Sequence, residues 1–360
     1  MKITLPVFFT IIFIIVLNFT TSLSAKERIQ NPSKNEIIFK VDERTEFFRT
    51  IYNLAVDDVI DDKLKPCETE YYKSVKAYFN PYKNHPLMAY ILNNDNIGVD
   101  FSVVGLMYKN FETFEFDSYY LDELKGMGIS EQEIKEMKPL LLDFYKKSNF
   151  RKFFKSHQNY YLKAVENLKI EAEKEQLFES IEQFYQSQKE GLKFIIFVEL
   201  TNNANNRALS FYEHNNPKTR ALILTNLCTD INSPTETNKF LTLEGKRRIL
   251  YHEISHIFTN ELLNKYIGNI SDYKSLCKEC DEVKIRDYVD HAIVNPLQAI
   301  LMKRLGNDTS GELYFLTECK DVRKDIYIRL ALYNPKDIIS FESVYKECIE
   351  ILQKKSAEIK

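Results

Sequence analysis

One stretch of the chain decides its fold: Arg248-Ile249-Leu250-Tyr251-His252-Glu253-Ile254-Ser255-His256. It holds the pattern H-E-x-x-H inside an apolar, periodic run from Leu241 to Tyr266 that predicts one long helix. Residues four apart lie on the same face of a helix, so His252 and His256 can present their imidazoles to one ion. The spacing therefore predicts a metal site centred on these two histidines.

The residue types in this motif favour zinc. Neutral imidazoles bind zinc at about 2.0–2.1 Å, and a catalytic zinc keeps one position open for water, whose pKa it lowers to about 7. Glu253 is placed to take the proton of that water as a general base. We expect a zinc-dependent metallopeptidase whose substrate is a peptide or protein. Two alternatives stay open, namely a zinc hydrolase of another substrate such as a cell-wall amide, and a catalytically inactive, zincin-like binding protein.

The motif itself does not identify the third zinc ligand. Thr259 and Leu262 stand where a metzincin has Gly and His, so that class is excluded. A gluzincin takes a Glu from a later helix, but the nearest candidate, Glu279, lies between two cysteines in a predicted turn. The next predicted helix, from Asp281 to Leu305, offers four more candidates: Glu282, Asp287, Asp290 and His291.

Helical spacing favours Asp290 among these candidates. It falls within the apolar stripe that contains Val283, Leu297 and Leu301. A carboxylate in that position needs a partner, because an unpaired buried charge is costly. His291 lies nearer the edge of the stripe, so spacing alone prefers Asp290 to His291 as the third ligand.

Four stretches resemble a family of uncharacterised exported bacterial proteins that carry a zincin-like HExxH motif and are similar to gluzincin-type metallopeptidases. The stretches are Phe39 to Leu54, Tyr71 to Pro86, Asn149 to Tyr160 and Ile249 to Phe258. In this family a Glu begins a helix that continues small–apolar–Val–Arg–Ala, and the closest match here is His291-Ala292-Ile293-Val294-Asn295-Pro296. The resemblance puts His291 at the position of the family's Glu ligand and Asn295 at the position of its Arg. We therefore expect His252, His256 and His291 to bind Zn²⁺, with Asp290 as the alternative third ligand.

The first 25 residues have the order of a signal peptide. Lys2 precedes an uncharged, mostly apolar run from Ile3 to Phe19, and small polar residues up to Ala25 follow. An uncleaved anchor is the alternative, since about 20 apolar residues span a bilayer. We expect export to the periplasm or the outside of the cell, with no further membrane segment. The six cysteines of an exported chain then predict up to three disulfides.

The rest of the pattern predicts an α+β fold, mainly helical with a small sheet and a zincin-like metallopeptidase core. Residues 26–190 form a mainly helical N-terminal region and residues 191–360 the catalytic region, and we expect residues 26–360 to be one compact unit. Short strands are predicted at Phe194 to Leu200, Arg207 to Tyr212 and Ala221 to Leu227. The last of these lies nearest the HExxH helix and is the candidate edge strand for a bound peptide.

Charge and the other histidines add smaller constraints. The net charge of −3 argues against a nucleic-acid partner.

His85 precedes a Pro and is expected to have a structural role at a helix end, while His157 and His214 are expected at the surface or in loops. Ser130 and Glu133 have the spacing of a capping box at a helix start. Nothing in the sequence predicts the oligomeric state.

Overall fold

Helices make up most of the N-terminal half of the molecule. The computed structural model describes residues 36–60, 65–66, 68–98, 100–186, 193–202, 206–209, 219–225, 243–270, 282–310 and 320–358. In the first half these contain strand β1 (Glu36–Lys40), the hairpin strands β2 (Tyr108–Asn110) and β3 (Glu115–Phe116), and nine α-helices. The helices are α1 Glu43–Val56, α2 Glu70–Phe79, α3 Pro86–Leu92, α4 Phe101–Gly105, α5 Leu121–Gly126, α6 Glu131–Lys147, α7 Phe150–Ser156, α8 Gln158–Lys174 and α9 Leu177–Phe184.

The second half adds the remaining described strands and four more described α-helices. The strands are β4 Lys193–Glu199, β5 Arg207–Ala208 and β6 Thr219–Thr225. The helices are α10 Leu243–Tyr266, α11 Glu282–Gly306, α12 Lys320–Ala331 and α13 Phe341–Glu358. Among the described helices, none is long and apolar enough to cross a membrane. The segment predicted as a signal peptide lies outside the described residues.

A mixed four-stranded sheet has the order β1-β4-β6-β5. β4 pairs in parallel with both β1 and β6, whereas β5 runs antiparallel to β6. β4 and β6 are almost continuous runs of buried residues, as expected for parallel strands covered on both faces. The α+β prediction with a small sheet is confirmed at this level. β1 lies in a region predicted to be mainly helical, and its partner β4 lies on the other side of the predicted boundary at residue 190.

The edge of the sheet beside α10 is β5, so the expectation that residues 221–227 form that edge is wrong. β6 is an interior strand, because β5 covers its outer side. The N–H of Leu209 donates to the carbonyl of Ala221 at 2.9 Å, and Ala208 stands opposite Leu222. Since backbone groups alternate in direction along an antiparallel strand, the N–H and C=O of Ala208 face away from β6.

Local signals explain several helix boundaries. The predicted capping box is present at the start of α6, where the Glu133 N–H donates to Ser130 Oγ and the Ser130 N–H donates to Glu133 Oε2. α7 and α8 are separated at His157, whose backbone leaves the helical region. In the C-terminal part, a turn at Asn334 and Pro335 separates α12 from α13.

Two long helices, α10 and α11, pack side by side and carry the histidines of the motif and of the candidate third ligand. Their apolar residues occur on all sides, which is typical of helices buried in the centre of a protein. In α11 the fully buried residues include Val289, Ile293, Leu297 and Leu301. Pro296 lies inside α11 without ending it, because packing of the residues before and after it holds the helix together despite the missing N–H.

Polar groups are also buried where the helices meet the sheet. Arg49 of α1 forms an ion pair with Glu199 of β4 at 3.2 Å, and both side chains are almost completely buried. Cys348 of α13 is a fully buried free thiol. The full set of three disulfides is therefore not formed, and the other five cysteines lie outside the described residues.

Candidate metal centre and cleft

Three histidines from the two central helices meet at one point. His252 and His256 lie one turn apart on α10, and His291 faces them from α11. Each offers one ring nitrogen, and these ligand atoms all lie within 4.8 Å of one another. Asp290, the residue that helical spacing favoured, is not a member of this group. It turns toward His256 from outside the cluster.

Each of the three imidazoles has its Nδ1 bound to an oxygen. Nδ1 of His252 donates to Oε1 of Gln298 at 3.1 Å, and Nδ1 of His256 donates to Oδ2 of Asp290 at 2.8 Å. Nδ1 of His291 donates to the backbone carbonyl of Asp287 at 2.8 Å. These acceptors hold the proton on Nδ1, so Nε2 is the nitrogen left with a free lone pair in each ring.

The donor set fits a small divalent cation. Nε2 of His252 and Nε2 of His256 lie 3.1 Å apart. Two bare lone pairs at this distance repel each other unless a proton or a cation lies near both. Two nitrogens bound to one tetrahedral zinc at 2.0–2.1 Å would be about 3.3 Å apart, which is close to the separation seen here. Three neutral imidazoles with fixed orientation are a sound ligand set for such an ion.

The surroundings give the two motif histidines different proton affinities. Burial, together with the neighbouring His256 and His291, lowers the pKa of His252 to about 3. Burial would also lower the pKa of His256, but the hydrogen bond and the negative charge of Asp290 raise it above its usual value. At neutral pH His252 is therefore uncharged and its lone pair is available, whereas His256 holds a proton more firmly.

Glu253 lies beside the histidines and against the edge of the sheet. Only 7% of its surface is exposed, and its Oε2 accepts a hydrogen bond from the backbone N–H of Ala208 at 2.8 Å. Burial raises the pKa of this carboxyl to about 7. A carboxyl group with such a pKa can both accept and release a proton near neutral pH.

A cleft passes along α10 on both sides of the histidines. It consists of two adjoining cavities of about 330 and 410 Å³ that share Asn206, His252 and Glu253. The first is lined in addition by Arg248, Ile249, Asn295 and Gln298. The second is lined in addition by Arg207, Ala208, His256, Ile257, Asn260, Glu261, Asp287, Asp290 and His291. The cluster thus lies open to both cavities of the cleft.

The structure brings together some of the candidate ligands and leaves others apart. His252, His256 and His291, the three residues expected to bind Zn²⁺, converge. Asp287 contributes only a backbone carbonyl to the cluster. Glu279 and the side chain of Glu282 lie outside what the structure describes.

Sequence reasoning missed the role of Gln298 in orienting His252. A signal for it was present, because His291, Asn295 and Gln298 are spaced at i, i+4 and i+7 in an otherwise apolar helix and so share one face. No comparable pattern of residues indicated the contact between Ala208 and Glu253. That contact depends on which strand forms the sheet edge.

The other two histidines that the structure describes, His85 and His157, do not line the cleft. His85 caps the start of α3: its Nδ1 accepts the N–H of Leu87 at 3.2 Å, and its Nε2 donates to Asp143 at 3.0 Å. This agrees with the structural role predicted for it. His157 is half-buried between α7 and α8, and His214 lies outside the described residues.

Comparisons of the chain with protein-family models, with curated proteins and with solved structures find no match. The family resemblance therefore depends on the four stretches of sequence quoted above.

Proposed function

We propose that the protein is an exported, zinc-dependent metallopeptidase with a zincin-like core. One observation carries the proposal: three imidazole nitrogens with fixed orientation lie within 4.8 Å of one another, next to a buried carboxyl group in an open cleft. This combination meets the requirements for a catalytic metal site with a general base beside it.

Each residue of the cluster has a separate role in this proposal. His252, His256 and His291 would hold the ion, and Zn²⁺ bound there would supply Lewis acidity to the scissile carbonyl and to water. Glu253 takes the proton from the attacking water and transfers it to the leaving amine. Gln298 and Asp290 fix the ring orientations of His252 and His256, so that both Nε2 atoms face the same point.

A peptide is the substrate that the surroundings favour. The outward N–H and C=O of Ala208 are the groups that an extended peptide uses when it adds to a sheet edge. The N–H is occupied by Glu253 in the free protein. A peptide carbonyl that accepted this N–H would take the place of the carboxylate, which would then be available for water.

The test separates metal binding from chemistry. His252→Ala and His291→Ala should each lose the ion, because two remaining protein ligands compete poorly with water. Glu253→Gln should keep both the ion and the fold, since its amide oxygen can still accept the Ala208 N–H. It should lose hydrolysis by about 10²–10⁴-fold, the usual contribution of a general base. Full zinc occupancy in His252→Ala, or an unchanged rate in Glu253→Gln, would refute the proposal.

A zincin-like binding protein without catalysis is the second candidate. It is favoured by His291, which stands where the resembling family has a Glu, and by the bond that engages Glu253 with the sheet edge. This candidate predicts that the zinc-loaded wild type binds extended peptides but cleaves none of a random peptide library. Detection of cleavage products that depend on Glu253 would exclude it.

Export is proposed from the first 25 residues alone. The mature protein should begin at Ala25 or Lys26, because small residues follow the apolar run. N-terminal sequencing of protein from the cell envelope or the medium provides the measurement. A membrane-bound product that begins at Met1 would indicate an anchor.

A further inference from the structure

The two cavities of the cleft differ in charge. We call them the acidic arm, which contains Glu261 and Asp287, and the amide arm, which contains Asn295, Gln298 and Arg248. Apart from the shared Glu253, the amide arm has no carboxylate among its described lining residues. The acidic arm has three: Glu261, Asp287 and Asp290.

Two of these three carboxylates are available to a ligand. Asp290 is engaged with His256, but Glu261 and Asp287 are exposed, and no side chain among the described residues pairs with either. Arg207 is the one arginine among the described lining residues of the acidic arm. It forms ion pairs with Asp100 and Glu123 at 3.3 and 3.4 Å. The acidic arm therefore attracts cations, whereas the amide arm has no such pair of exposed carboxylates among its described lining residues.

The edge strand β5 has a defined direction relative to these arms. Asn206, which precedes it, lines both arms, and Ala208 at its end lines only the acidic arm. Helix α10 runs the same way, since Ile249 lies in the amide arm and Glu261 in the acidic arm. Both elements thus run from the amide arm toward the acidic arm.

This direction sets the polarity of a bound peptide. β5 is antiparallel to β6, and antiparallel pairing is the commoner arrangement for an added strand. A peptide antiparallel to β5 enters the acidic arm with its N-terminal part and the amide arm with its C-terminal part. The bond between the two parts then lies over His252 and Glu253, which the arms share.

We propose that the cleft selects extended peptides with Lys or Arg on the N-terminal side of the scissile bond, where they lie in the acidic arm. This inference rests on the proposed function in so far as the bond is cleaved. The direction in which the peptide binds does not require catalysis. Exposed ion pairs are individually weak. The two carboxylates of the acidic arm attract the basic half of one peptide and repel the acidic half of its reverse, and together they should give a preference of about tenfold.

The experiment uses three peptides of equal length: a basic–acidic peptide, its charge-reversed counterpart and a neutral one with Gln at the same positions. Affinities are measured by fluorescence anisotropy on zinc-loaded Glu253→Gln protein, which holds the peptide intact. Cleavage by the wild type is measured in parallel as kcat/KM, with mass spectrometry to locate the bond cut. The basic–acidic peptide should bind about tenfold more tightly than its reverse and should be cut after its basic half.

Variants assign the preference to the acidic arm. Glu261→Lys should remove or invert the affinity ratio while zinc content stays the same. Glu166→Lys makes the same charge change at an exposed position of α8 outside the cleft and should leave the ratio unchanged. Equal affinity for all three peptides, no binding of any of them, preference for the reversed peptide, or a ratio that survives Glu261→Lys would overturn the inference. Polarised binding without cleavage would instead reject the proposed catalysis and leave the inference standing.

Discussion

Nδ1 of His256 donates a hydrogen bond to Oδ2 of Asp290 at 2.8 Å, across the contact between α10 and α11. The bond explains why two adjacent residues of α11 act differently. Asp290 reaches the outer nitrogen of His256, while His291 approaches the inner one. A carboxylate in this position fixes the ring and increases its basicity, which strengthens a metal ligand.

Replacing Asp290 should therefore weaken the metal site without removing it. Asp290→Asn keeps an oxygen for the Nδ1–H but loses the charge, and zinc affinity should fall by about 10–100-fold. Competition titration with a chelator of known affinity gives the measurement. Asp287→Asn is the matched control, because it removes a charge from the same cleft while its backbone carbonyl still holds His291. Equal losses in the two variants would mean that charge alone matters, and an unchanged affinity in Asp290→Asn would contradict the role given to this bond.

Glu46 should make stability depend on pH. It is completely buried in α1, where the hydroxyl of Tyr71 donates to its Oε1 at 2.8 Å, and burial raises its pKa from 4.5 to about 7. The folded state thus holds a proton that the unfolded state has released between pH 4.5 and 7. The free energy of unfolding should fall as pH rises through this window and level off above it.

Glu46→Gln keeps an acceptor for Tyr71 but removes the titration. The difference in unfolding free energy between variant and wild type should grow from pH 5 to pH 8, in favour of the variant, by up to about 3 kcal/mol. Urea unfolding at several pH values measures it. Glu70→Gln, a charge loss on the exposed face of α2, serves as the control. A difference that does not change with pH would show that Glu46 has no raised pKa.

Cys348 should not react with thiol reagents until the protein unfolds. Its side chain is completely buried, and burial raises the pKa of the thiol to about 12, so little reactive thiolate forms. Thiol titration of wild type and Cys348→Ala, without reductant, should give equal counts in the native state. In denaturant the wild type should show one thiol more. Equal counts in denaturant would mean that Cys348 is in a disulfide.

Much of the local structure around the site could be predicted from sequence. The helix of the motif, the strand at Lys193–Glu199 and the capping box at Ser130 all depend on short-range patterns of apolar and polar residues. The choice between Asp290 and His291 could not be made from periodicity. Adjacent residues differ by about 100° around a helix, and α11 is apolar on nearly all sides. The packing of α11 on α10 therefore decides which of the two faces the cluster.

The order of strands could not be predicted either. β1 is only five residues long and is followed by a helical pattern. No pattern in the sequence around it therefore indicates that it pairs with β4. β5 is shorter still, and its position at the edge depends on contacts with β6. The hydrogen bond from Ala208 to Glu253 is a consequence of that position, which is why it was not foreseen.

The pairing of β1 with β4 has a consequence for how the chain folds. Glu36 is opposite Lys193, so more than a hundred and fifty residues must be synthesised before β1 meets its partner. At about 5–20 residues per second this delay is on the order of ten seconds or more. The helices between the two strands can form meanwhile, since their contacts are local. Closing the sheet across so long a loop is intrinsically slow, and until then the apolar side chains of Ile37, Ile38 and Phe39 have no strand to cover them.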